Sequence, residues 1–159
     1  MSELLVEARG AVEIATLNRP GRLNALNEGL VEELNAYFGG LAERPDVRVV
    51  ILRGAGRGFC AGLDIQEDRS SDETPVLRTL RTQTRIGNIY RKMRACPQPI
   101  IALGHGAAAG GGLSLLLASD VRYAAPSFRC NAAYIRIGLG GCDMASSYFL
   151  PRLVGASLA

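Results

Sequence analysis

Two glycine-bearing turns carry the residue types and spacing best suited to chemistry in this sequence. They are Gly58-Phe59-Cys60-Ala61-Gly62-Leu63-Asp64 and Gly104-His105-Gly106-Ala107-Ala108-Ala109-Gly110-Gly111-Gly112. Each follows an apolar run of strand character, residues 47–53 and 99–103. Turns after strands are where α/β folds place ligand chemistry, and turns after neighbouring strands face one crevice. Small residues let a ligand approach the main chain, and an amide donor at a helix N-terminus favours negative charge growing on a carbonyl oxygen. The chemistry expected here is that of an oxyanion hole, two backbone N–H groups directed at one oxygen.

The elements that must position these turns follow from the pattern around them. Residues 4–8 and 12–17 alternate about Arg9-Gly10-Ala11 and predict an antiparallel hairpin. Asn27 is placed to cap a helix through Leu30, Leu34 and Phe38, which Gly39-Gly40 weakens and Pro45 ends. Residues 47–53 read as a buried strand, 67–75 as a polar loop and 76–95 as a helix. Pro97 and Pro99 precede a strand at 100–103, the glycine triplet opens an apolar helix at 113–118, and 120–124 reads as a further strand. After Ala125-Pro126 the pattern is irregular until an amphipathic helix at 145–154, which Pro151 interrupts. Strands alternating with helices over residues 1–159 predict a single α/β domain.

Composition supports this and narrows the function. At 159 residues, 48% apolar and 21% charged, the chain buries a core of its own. Its net charge of +3 includes a cluster, Arg78, Arg81, Arg85, Arg91, Lys92 and Arg94, on one expected helix. That cluster is either an attractor of anions or a solvated helix face. Without interleaved aromatics, a zinc pattern or a helix-turn-helix pattern, it does not point to nucleic acid. Cys60, Cys96, Cys130 and Cys142 form no CxxC pair and follow no signal peptide, which reads as four reduced thiols in a cytoplasmic protein. Cys60 lies in the first turn, yet no neighbouring base is visible to activate it. No run is apolar and long enough to span a bilayer, so no membrane partner is expected. His105, the single histidine, is expected to hydrogen-bond nearby backbone, and it supports neither a metal site nor a Ser-His-Asp triad. The spacing Gly104-x-Gly106-x-x-x-Gly110 is wrong for a dinucleotide loop.

Beyond the turns, Leu17-Asn18-Arg19-Pro20, Leu23-Asn24-Ala25-Leu26, Ala118-Ser119-Asp120-Val121-Arg122-Tyr123-Ala124, Ile137-Gly138-Leu139 and Leu150-Pro151-Arg152-Leu153-Val154-Gly155 occur in order along the chain. With the Phe59–Asp64 turn and the triplet Gly110-Gly111-Gly112, the sequence resembles the enoyl-CoA hydratase/isomerase family, the crotonase superfamily. The resemblance implies an α/β fold of the ClpP/crotonase kind, a spiral of ββα units. It also implies that the C-terminal helical region of complete relatives is lacking here, a truncation that oligomerisation would cover. A homotrimer or dimer of trimers is expected by analogy.

The same resemblance assigns the oxyanion donors to the backbone N–H groups of Leu63 and Gly111, where the Leu63 side chain is irrelevant. It places Arg22, Leu23, Ala25, Ala61, Asp64 and Ile65 along a groove for coenzyme A, with Arg22 either a phosphate partner or a plain surface charge. The substrate is then a coenzyme A thioester of the kind used in fatty acid metabolism, with no prosthetic group. The acid–base positions depart from the family. Its two glutamates correspond to Ser114 and Tyr134, and neither hydroxyl replaces a carboxylate base near neutral pH. Asp143 is similar in place to the working aspartate of dienoyl-CoA isomerases and chlorobenzoyl-CoA dehalogenases, after a one-residue insertion. It is either a base or nucleophile, or the cap of a helix beginning at Met144. Two functions follow: an enzyme forming a thioester enolate with atypical acid–base residues, or a non-catalytic acyl-CoA-binding or accessory protein.

Overall fold

In the computed structural model, which describes residues 2–66, 74–140 and 143–159, with residue 143 described by its backbone alone, two sheets carry the chain. The larger has strand order β1-β2-β3-β4-β6, with β1 Leu4–Arg9, β2 Val12–Leu17, β3 Val49–Gly54, β4 Ile100–Gly104 and β6 Val121–Ala124. β1 and β2 form the expected antiparallel hairpin, and every later pairing is parallel. β3 and β4 are direct neighbours, pairing Val50 with Ile100 through Arg53 with Leu103, so both glycine turns leave the same edge of the sheet.

The smaller sheet was not legible in the sequence. β5 Ala107–Ala109 lies inside the second glycine turn, and β7 Arg129–Asn131 occupies the stretch read as irregular. Each is three residues long and lacks alternation, so neither carries a period to detect. Cys60 bridges to Ala108, which pairs with Cys130, so the first turn extends this small ladder. The strands β3, β4 and β6 are each followed by a segment of that ladder and then a helix. This repeat is the ββα spiral.

The helices are α1 Glu28–Gly40, α2 Pro75–Ala95, α3 Gly111–Ala118 and α4 Ser146–Val154. Asn27 caps α1 as expected, its side-chain oxygen accepting from Leu30 N at 3.0 Å, and Leu30, Leu34 and Phe38 face the core. α2 begins one residue before the expected start because Pro75 fits the first helical turn, with Thr74 as cap. α3 begins at Gly111 rather than residue 113, and all eight of its residues are buried. A helix buried on every side has no solvated face to give it a period, so tertiary packing decides its extent. α4 runs through Pro151 without interruption and starts at Ser146, with Ala145 rather than Asp143 at its cap position. The expected loop at 67–75 lies outside the described residues except at its last two positions, 74 and 75. Among the described residues no helix is long and apolar enough to cross a membrane.

Three of the basic residues on α2, Arg85, Lys92 and Arg94, tie the helix to its neighbours, while Arg81 and Arg91 are exposed. Arg85 pairs with Glu28 and, at 3.0 Å, with Glu32 of α1. Lys92 Nζ donates to Asn35 O at 2.9 Å, and Arg94 pairs with Asp120 at the head of β6. Asp120 also accepts from Ile100 N at 2.8 Å, which fastens α2 to β4.

Close approach of backbone fixes the turns. A Cβ on Gly112 would lie 2.1 Å from the Cys60 carbonyl oxygen, so only glycine lets α3 reach the first turn. Asn24, fully buried, directs its amide at the carbonyl oxygens of Ala55, Gly58 and Phe59 at 2.9, 2.9 and 3.1 Å while accepting from Arg19 N at 2.8 Å. One side chain thereby holds the 19–24 loop to the first glycine turn. Asn24→Ala leaves these buried carbonyls without their donor and is expected to lower stability by about 2–3 kcal/mol in urea unfolding. Gly112→Ala is expected to lose at least about 2 kcal/mol. Gly40→Ala, at the end of α1 with nothing within 4 Å of the added methyl, is expected to gain up to about 1 kcal/mol. Equal effects of the two glycine changes would contradict the close-packing account.

Candidate active site

The first turn runs between two flanking segments and alternates its hydrogen bonds between them. Toward the second turn, Phe59 N donates to His105 O at 2.8 Å, Cys60 N to Ala107 O at 3.1 Å, and Cys60 O accepts from Ala109 N at 3.0 Å. Toward the 23–26 segment, Ala61 N donates to Leu23 O at 2.9 Å, Gly62 O accepts from Leu26 N at 2.7 Å, and Asp64 N donates to Leu26 O at 3.0 Å. The bridge to Leu26 thus uses the groups of Gly62 and Asp64, which turns the N–H of Leu63 away from it. Among the described residues neither Leu63 N nor Gly111 N, at the start of α3, makes a main-chain hydrogen bond.

Leu63 and Gly111 line the same cavity of about 130 Å³. Its walls are apolar, from Leu26, Ala61, Ile65, Ile86, Leu139 and Met144 among others, and Tyr134 is the only described side chain with a hydroxyl on them. The turns meet here closely. Gly62 has φ +87°, and a Cβ on it would sit 2.5 Å from Ala109 O and 3.4 Å from the Gly111 nitrogen. Leu63 and Gly111 thus bring two main-chain amides to the border of one apolar space.

Ser114 and Tyr134, the positions matching the family's glutamates, are brought together. Tyr134 Oη lies 2.6 Å from Ser114 Oγ and donates to Gly110 O at 3.0 Å, so the serine hydroxyl donates to the tyrosine. Both residues are buried. The small ladder makes this meeting possible: Gly110 N donates to Asn131 O at 3.0 Å at the end of β7, and the 3₁₀ turn Ala133–Ile137 then carries Tyr134 onto Gly110. The pairing of two hydroxyls leaves no carboxylate at these positions.

The groove residues divide into two sets. Ala61 and Ile65 line the cavity, Ile65 with most of its surface exposed. Arg22, Leu23 and Ala25 sit on the loop beside it, with Leu23 and Asn24 both in the left-handed region at φ 51° and 55°. Asp64 is buried and accepts from Arg19 Nη1 at 3.0 Å, Arg22 Nη2 at 3.1 Å and Gln66 N at 3.1 Å. Burial alone would raise its carboxyl, but Arg19, the Gln66 N–H and Arg22 together hold it below the ordinary carboxylate range. Asp64 is therefore an anchor for the loop. Arg22 also reaches Gln66 and stays half-exposed, so it is tethered at the surface rather than a free cation.

Three further sequence readings have clear outcomes. Cys60 is fully buried, and burial pushes its thiol up to about 12, which leaves no thiolate for catalysis. His105 Nε2 lies 2.9 Å from Gly56 O, a backbone contact as expected. The side chain of Asp143 lies outside the described residues; its backbone opens a 3₁₀ turn, Asp143–Ala145, in which Met144 and Ala145 have φ 51° and 59°. Asn24 and the pair Leu26 and Ile86 are the site-building residues that pattern alone did not single out. Asn24 belongs to the string Leu23-Asn24-Ala25-Leu26 that carries the family resemblance, which assigns it no role of its own.

Comparison with known proteins agrees with this geometry. Residues 7–159 match the Enoyl-CoA hydratase/isomerase family. The chain is 40% identical over 155 residues to "Probable enoyl-CoA hydratase echA12" of Mycobacterium leprae, covering 95% of this chain and 53% of that protein. It is 35% identical over 161 residues to 1,2-epoxyphenylacetyl-CoA isomerase of Escherichia coli K12, covering 100% of this chain and 61% of that protein. A crystal structure of an enoyl-CoA hydratase/isomerase from Mycobacterium paratuberculosis superposes with TM-score 0.89 at 31% identity, over 99% of this chain and 63% of that one. The chain spans little more than half the length of the curated relatives it matches, 53% and 58% for the first two. The matched span takes in both glycine turns, the small ladder and α3, and on that basis the chain belongs to the enoyl-CoA hydratase/isomerase family.

Proposed function

We propose that this chain binds an acyl-CoA thioester with the thioester oxygen between the N–H groups of Leu63 and Gly111. The observation that carries this reading is the pair of amides without main-chain acceptors on one apolar cavity. An enolate formed by loss of a proton from the carbon beside the carbonyl places negative charge on that oxygen. Fixed donors in a water-poor site stabilise such charge strongly because they need no reorganisation as it develops. α3 adds the positive end of its dipole at Gly111. Arg22, Leu23, Ala25, Ala61 and Ile65 are assigned to the coenzyme A arm. Asp64 serves there by holding Arg19 and Arg22 in place.

The reaction this arrangement favours is not hydration by two carboxylates. Tyr134 donates to Gly110 O and Ser114 donates to Tyr134, and neither hydroxyl replaces a carboxylate base for water. Asp143 is the assigned acid–base residue for an isomerase or lyase step in the family's chemistry. The paired hydroxyls equally favour a second reading, a non-catalytic acyl-CoA-binding protein. The subunit assembly is assigned by family analogy to a trimer or a dimer of trimers.

Calorimetric titration with acetyl-CoA and crotonyl-CoA, with the enoyl absorbance followed in the same samples, tests the proposal. Binding of both with the enoyl band retained is expected. Failure to bind either ligand overturns the reading, and rapid loss of the band overturns the assignment of Ser114 and Tyr134 as unable to hydrate. For a thioester that does turn over, Asp143→Ala is expected to abolish turnover and keep binding. Unchanged turnover removes Asp143 from the mechanism and leaves the thioester site standing. Arg22→Ala is expected to weaken coenzyme A thioester binding by about fivefold, the scale of one exposed charge contact, with the difference shrinking at high salt.

A further inference from the structure

The carbonyl of Gly110 and the N–H of Gly111 belong to one peptide unit. Tyr134 Oη donates to that carbonyl at 3.0 Å, Ser114 N donates to it at 3.1 Å, and Ser114 Oγ stands 2.6 Å from Tyr134 Oη. The two lone pairs of the carbonyl oxygen are thereby both engaged, on the side of the trans peptide unit opposite its N–H. From this geometry we infer that Tyr134, supported by Ser114, is a positioning residue that orients and polarises the Gly110–Gly111 peptide as an oxyanion donor. The inference rests on the reading of Leu63 and Gly111 as the donors to the thioester.

The physical argument has two parts. A hydrogen bond to an amide oxygen draws electron density from the amide nitrogen and strengthens its N–H as a donor, so bonds in a chain reinforce one another. Here the chain runs from the Ser114 hydroxyl to the Tyr134 hydroxyl, the Gly110 carbonyl and, through the peptide, the Gly111 N–H. The second part is orientation. Gly110 has φ +48° and ψ −120°, a conformation open to glycine and unsupported by any side chain of its own, so its peptide plane depends on outside contacts. Asn131 O takes its N–H at 3.0 Å, and Tyr134 and Ser114 take its carbonyl. The tyrosine ring packs against the glycine as well, with a Cβ there 3.7 Å from Tyr134 Cε1. Burial of both hydroxyls shields the chain from competing water. The two positions that elsewhere in the family supply carboxylates here act through the main chain.

The test reads the ligand's carbonyl directly. Infrared difference spectra of the full chain with butyryl-CoA labelled with ¹³C at the thioester carbonyl report how far the protein lowers that stretch relative to free ligand. The wild-type protein is expected to lower it. Tyr134→Phe is expected to reduce the lowering by about 10–30%, the reinforcement of one bond in a chain, while butyryl-CoA still binds. Ser114→Ala is expected to act in the same direction and less. Site-specific 3-fluorotyrosine at position 134, a stronger donor of nearly the same shape, is expected to increase the lowering, which a merely structural tyrosine would not do. An unchanged stretch across these proteins overturns the role of Tyr134 and leaves the donors intact. No lowering in the wild-type protein overturns the inference and the donor reading together. If Tyr134→Phe fails to fold, the fluorotyrosine and Ser114→Ala proteins decide the matter by the same signs.

Discussion

Backbone-to-backbone contact between the two glycine turns is the constraint on which the rest of this structure depends. Cys60 exchanges main-chain hydrogen bonds with Ala107 and Ala109, and Gly112 reaches the Cys60 carbonyl so closely that no side-chain carbon fits between them. This contact sets where α3 begins, because its first residues must lie against the turn. It also sets the cavity, whose walls are the turn on one side and the start of α3 and Tyr134 on the other. Surrounding elements serve to hold the contact. The parallel pairing of β3 and β4 launches both turns side by side, Asn24 clamps the first turn from below, and the buried α3 anchors the second in the core.

Much of the fold was legible because it rests on local signals. The hairpin, the Asn27 cap, the amphipathic α1 and the long helix before Pro97 each have a period or a cap that the sequence displays. The small sheet did not, since Ala107–Ala109 and Arg129–Asn131 are strands by partnership rather than by propensity. The start of α3 is hidden in the sequence because glycine is a poor helix former, whereas close contact with the Cys60 backbone requires glycine at its second position. The basic residues of α2 carried no information about their acidic partners on α1 and β6, which are distant in sequence.

In the site, Leu63 and Gly111, which the family resemblance singles out, line one cavity, because the path of the two turns brings their main chains together. What could not be read was the relation between Ser114 and Tyr134, twenty residues apart by sequence and in contact only because β7 runs parallel to β5. The partners of Asp64 could not be read either: the family resemblance sets it along the groove, and its ion pairs with Arg19 and Arg22 also fasten the loop. Ser114 and Tyr134 pair with each other, and Tyr134 also bonds the Gly110 carbonyl, so the two side chains are tied to the peptide at the start of α3.

A crystal structure of the chain with butyryl-CoA, a thioester with no double bond to hydrate, tests the central claim most directly. The account predicts the thioester oxygen at about 2.7–3.1 Å from both Leu63 N and Gly111 N, with the acyl chain in the apolar cavity. A bound thioester whose oxygen meets neither amide, or only water, would contradict it.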